Sequence, residues 1–248
     1  MTRTYLVRGM LVGLLASIAA FAFAQVFGEP QIRKAIAIEE QTAAAAAHGD
    51  AHDEEAPTVS RDAQETVGLG TGLIVAGAAL GGMFGLVFAF AHLRLTRRSA
   101  RVTSAGLAAA AFVAIYLVPW LKYPPNPPAV GDPDTIGRRT ALFLLLIVMT
   151  VLATVLANVV REKLKPRLGG WNAALVALAS FVAVVTVLYV AMPGINEAPD
   201  TFPSIVLWRF RLASLGTGLL LWTVIGLGFG ALTERADRRA TVGVAATA

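Results

Sequence analysis

This 248-residue chain has no cysteine, only three histidines, and charged groups at just 15% of its positions. Without cysteine there are no disulfides, thiolate metal sites or cysteine nucleophiles. No Gly-Lys-Ser/Thr phosphate cradle and no nucleophile–base pair in an enzyme-like setting occurs, so neither ATP-driven nor hydrolytic chemistry is expected, and the chain does not read as an enzyme. Charge is also missing from six apolar runs: Gly9–Phe27, Gly68–Phe90, Ala105–Leu121, Ala141–Val160, Ala173–Met192 and Leu212–Leu232. A self-contained proton-coupled pump would want a carboxylate inside such a run.

What remains is apolar: 56% of the residues, with a mean hydropathy of +0.66. Each run approaches or meets the roughly 20 residues that cross about 30 Å of hydrocarbon. Backbone groups in lipid must be satisfied within a segment or a closed barrel, and nothing suggests a barrel. The predicted fold is therefore all-α, a polytopic integral membrane protein with six transmembrane helices in three antiparallel hairpins. It forms a single membrane domain over residues 1–248, and residues 28–67 make an acidic extracytoplasmic loop, part helix and part flexible.

Charge sets the orientation. The N-terminus and the segments after the second, fourth and sixth runs hold 13 basic and three acidic residues; the opposite set holds eight basic and 13 acidic. That asymmetry predicts both termini in the cytoplasm. The basic residues are spread over four membrane exits, which speaks for lipid headgroups and against nucleic acid. The first run has a rival reading: Arg3, Arg8 and Ala22-Phe-Ala24 before Gln25 resemble a signal peptide. Its apolar stretch exceeds the roughly 7–15 residues usual there, which favours a retained helix.

Glycines recur every fourth residue, at Gly68/Gly72, Gly77/Gly81/Gly85 and Gly226/Gly230, predicting faces where another backbone approaches closely. Leu69-Gly-Thr-Gly-Leu73 returns as Leu215-Gly-Thr-Gly-Leu219, and Phe84-Gly85 falls near the position of Phe229-Gly230. Since both helices run outside to inside, any repeat is parallel rather than inverted.

Three groups of residues have chemical potential. His48 and His52, with Asp53 beside them, suit a borderline divalent ion if their stretch is helical, and read otherwise as an acidic linker. Two polar loops at residues 122–139 and 193–211 share one membrane face. Prolines at 124, 125, 127 and 128 stiffen the first, so Asn126, Asp132 and Asp134, with Asn196, Glu197 and Asp200 from the second, are candidates for solute entry. The competing structural role has Arg138 and Arg139 pairing around Asp134, and Arg209 or Arg211 pairing with Glu197 or Asp200. His92 lies at an inner helix end, and Thr150, Thr154 and Asn158 form one polar stripe.

The stretch Leu121-Lys-Tyr-Pro-Pro-Asn-Pro-Pro-Ala-Val-Gly-Asp-Pro-Asp-Thr-Ile-Gly-Arg-Arg-Thr140, together with Phe202-Pro-Ser-Ile-Val-Leu-Trp-Arg-Phe-Arg-Leu-Ala-Ser-Leu-Gly216 and the opening Arg8-Gly-Met-Leu-Val-Gly-Leu-Leu-Ala16, resembles the CbtA family of cobalt transporter subunits. The likeness covers nearly the whole chain. It implies a multi-pass subunit in a bacterial cytoplasmic membrane, linked to cobalt uptake for cobalamin biosynthesis. It also implies a small histidine-bearing membrane partner of the CbtB type. Cobalt would be the transported species, with no permanently bound cofactor.

Overall fold

The computed structural model describes residues 2–46, 67–94, 99–128, 130–131, 133–195, 197–199 and 201–245. Among these there are helices and connections but no strand. Helix α1 (Thr2–Phe23) passes through a π-helical segment at Ala24–Gly28 into α2 (Glu29–Ala46), so the beginning of the expected first loop is helical. Helix α3 covers Leu69–Arg94, and α4 (Ala100–Ala111) runs through a second π-helical segment, Phe112–Leu117, into α5 (Val118–Lys122). A 3₁₀ turn at Pro133–Thr135 leads into α6 (Ile136–Ala191), and α7 covers Ser204–Ala245. By length and composition, five of the described helices are able to cross a membrane.

The longest of the five, α6, is broken. Gly169 has φ 76° and ψ 166°, a conformation open essentially to glycine alone. The Thr150 hydroxyl lies 2.5 Å from the Ala114 carbonyl, and the Tyr189 hydroxyl donates to the Val118 carbonyl at 2.5 Å. Those two acceptors are one helical turn apart, whereas a straight helix would carry Thr150 and Tyr189 about 58 Å apart. The chain must turn near Gly169, midway between them.

By packing, the chain divides into two compact units: Met1–Ala109, Pro127–Ala129 and Pro203–Ala248 form one, and Ala110–Asn126 and Val130–Phe202 the other. The first unit is seamed by glycine. Helices α1 and α3 pack antiparallel with their backbones touching: Tyr5 meets Gly85, Gly9 meets Gly81, and Gly13 meets Gly77. A Cβ at any of these glycines would fall within 3.0 Å of a facing carbonyl or side-chain oxygen. Ser17 stitches the end of the seam, its buried hydroxyl 2.7 Å from the Leu73 carbonyl. Helices α4 and α7 repeat the device, with Gly226 against Ala108, Gly230 against Arg101, and the Ser104 hydroxyl donating to the Gly226 carbonyl at 2.6 Å. Gly72 takes no part, because a Cβ there meets open space. The expected packing face on α3 therefore begins at Gly77.

The internal likeness is spatial too. Gly70 lies against the ring edge of Phe21, and Gly216, at the same place in the second Leu-Gly-Thr-Gly motif, against that of Phe23. The Phe84 and Phe229 rings meet edge to face at 5.4 Å.

Candidate functional site

The second unit is held at its loop end by long polar side chains. Lys122 Nζ donates to the Tyr189 carbonyl at 2.9 Å, and the Tyr123 hydroxyl donates to the Pro193 carbonyl at 2.8 Å. With Tyr189 bonded to Val118, these bonds fasten α5 to the end of α6 and to the loop that follows. Burial pushes the Tyr123 phenol up from its ordinary value, against a smaller downward pull from the Arg138 guanidinium.

Glu197 ties the two polar loops together. Its side chain is 9% exposed, and its Oε2 receives Arg139 Nη1 at 2.5 Å. The other oxygen, Oε1, accepts from the Thr135 hydroxyl. Gly131, at φ 135°, passes so close that a Cβ would stand 3.0 Å from the arginine and 3.1 Å from the carboxylate. Only a residue without a side chain fits there, so glycine lets the first loop close over the ion pair. Each loop contributes to a charge-assisted junction, which defines the backbone path of both.

Glu197 was expected at a solute mouth, or paired with Arg209 or Arg211; in the structure its two oxygens accept from Arg139 and Thr135. Arg139 pairs with Glu197, while Arg138 is exposed near Tyr123 and Arg209 is exposed at the start of α7. Arg211 is half-buried and engaged in contacts of its own, as are half-buried Asn126 and exposed Asp134. Asp132, Asn196 and Asp200 lie outside the described residues, as do His48, His52 and Asp53. Among the described residues no three His, Cys, Asp or Glu side chains gather as a metal site. Of the polar stripe on α6, Thr150 and Thr154 bond to backbone carbonyls and Asn158 is exposed.

Sequence reasoning missed the cross-loop pairing and the tyrosines. The signal for Glu197–Arg139 is faint: an acid and a base 58 positions apart, in two separate polar loops. Tyr123 and Tyr189 sit at apolar–polar boundaries, where amphipathic rings are ordinary, so nothing local marks them as cross-links.

A family model described as "Probable cobalt transporter subunit (CbtA)" matches residues 2–234. The chain belongs to the CbtA family. The match begins with α1 and runs into α7, taking in both polar loops, so the loop junction falls within the family domain. This is a family of transporter subunits, not of enzymes, and membrane transport of cobalt is the activity its description carries. No curated protein and no solved structure matches the chain.

Proposed function

We propose that this chain is the membrane-spanning subunit of a divalent-metal uptake system whose cargo is cobalt, working passively or together with a partner subunit. It crosses a bacterial cytoplasmic membrane six times, in three hairpins with both termini inside. The family match over residues 2–234 carries this reading. The turn at Gly169 supports it, dividing α6 into stretches of 33 and 22 residues, each long enough to cross. Exposed apolar side chains such as Leu15 and Ile18 on α1, and Val187 and Val190 on α6, are suited to lipid and costly in water. Basic segments alternate along the chain with acidic ones, the pattern that the positive-inside rule expects of such a topology.

In this reading the loops at 122–139 and 193–211 frame the extracytoplasmic mouth. The Glu197–Arg139 junction shapes the frame, and Asn126, Asp132, Asp134, Asn196, Glu197 and Asp200 are the positions assigned to meet a hydrated cation. A small histidine-bearing subunit of the CbtB type supplies imidazoles beyond the three of this chain. A second reading follows from Glu197 being committed to Arg139: the chain is a scaffold that positions a metal-binding partner and carries no ion itself. Radioactive cobalt uptake in a transport-deficient cell separates the two. The transporter reading expects uptake that depends on this chain, reduced when Asn126, Asp132 and Asp134 become alanine at equal surface expression. A chain that gives no uptake with or without its partner would leave only the scaffold.

A further inference from the structure

Helices α3 and α7 both run antiparallel to α1 and therefore parallel to each other. Where the three meet, Tyr5, Phe84, Phe88 and Phe229 form an aromatic layer. The Phe88 ring lies 4.8 Å from Phe229 and 5.5 Å from Tyr5, and neither phenylalanine is exposed. One turn further along the same two stripes stand His92 and Thr233. The His92 ring stacks on Phe88 at 4.9 Å, and its Nδ1 is buried with no hydrogen-bond partner. Thr233 is 0% exposed, and its Oγ1 likewise has no partner. Each is a buried polar atom without a partner, one turn beyond the contact of Phe88 with Phe229, and a buried polar atom ordinarily has one.

We propose that His92 and Thr233 form a binding site for a divalent transition-metal cation at the inner end of this unit. His92 Nδ1 is the inner ligand, and Thr233 Oγ1 binds the ion or a water on it. A neutral imidazole offers a lone pair to a borderline ion such as Co²⁺, while hard cations prefer all-oxygen shells. The charges nearby are of both signs, three arginines to two acids. Glu234 is held by Arg101 at 3.4 Å and by Arg238 at 2.6 Å; Asp237, one turn beyond Thr233, and Arg8, 5.9 Å above the Tyr5 ring, act on Tyr5 with opposite sign. One imidazole and one hydroxyl bind weakly, as suits a place where cargo must be let go. The choice of metal rests on the uptake reading; the site itself rests on the two orphaned atoms.

The test is Co²⁺ binding to the full chain in detergent, followed by equilibrium dialysis and by the visible absorption of the bound ion. His48 and His52 are replaced by alanine throughout to silence the first loop. His92→Ala is expected to weaken binding about tenfold, and Thr233→Val, which keeps the side-chain shape, about threefold. Unchanged affinity in both variants overturns the proposal. If His92→Ala does not fold, Thr233→Val decides alone. Cell uptake keeps the two readings apart. Uptake by the parent chain, with Co²⁺ affinity unchanged in both variants, removes the site and leaves the transport reading. Binding that depends on His92, in a chain that gives no uptake, does the reverse.

Discussion

The two units are built from similar apolar helices, yet they cohere by opposite means. In the first, glycine brings backbones together along α1/α3 and α4/α7, and two serines stitch the seams. In the second, lysine, tyrosine, arginine and glutamate reach from one element to another at the loop end. Without a hydrophobic driving force between helices in lipid, close packing and interhelical hydrogen bonds are the two means left. The difference shows in how each unit fails. A seam is broken by adding atoms and a latch by removing them.

The largest effect should therefore come from enlarging the seam. Gly13→Val places a branched side chain against the Gly77 carbonyl and should cost about 3 kcal/mol or more, read as a collapsed thermal transition or lost expression in detergent. A normal melt would mean that α1 and α3 do not touch through backbone. Next comes the latch: Glu197→Ala leaves Arg139 without its partner and should cost about 1–3 kcal/mol. Glu197→Gln, which still accepts from Thr135, should lose less, and equal loss in both variants would remove the hydrogen-bonding role.

A smaller, pH-dependent effect belongs to Tyr123. Its phenol is held neutral by burial, so its contribution is complete below the ordinary value of 10.0 and lost as pH rises through the higher folded-state value. Melting temperature should fall above about pH 10 by less in Tyr123→Phe than in the parent. Smallest of all is Gly72→Ala, expected to be neutral or slightly stabilising because its site is open and alanine favours helix by up to about 1 kcal/mol. Measured against Gly77→Ala, it marks where the seam begins.

The helices were legible because apolar length is a direct statement about lipid, and Gly77, Gly81 and Gly85 announced a groove by their spacing. Gly9 and Gly13, the other half of that groove, were not singled out, since they sit among small residues that suit any apolar helix. The candidate site was less legible. Loop acids look alike in sequence, and nothing in residues 193–201 says that Glu197 turns to Arg139.

By itself, then, the sequence determined the apolar, all-helical class of molecule, the charge asymmetry and the family. All of these depend on composition and local spacing. Tertiary structure alone decided which glycines are covered, which acid is neutralised, and which buried atoms, His92 Nδ1 and Thr233 Oγ1, are left without partners. Those outcomes depend on which distant segments meet, and in helices so uniformly apolar the pattern of residues leaves that choice to packing.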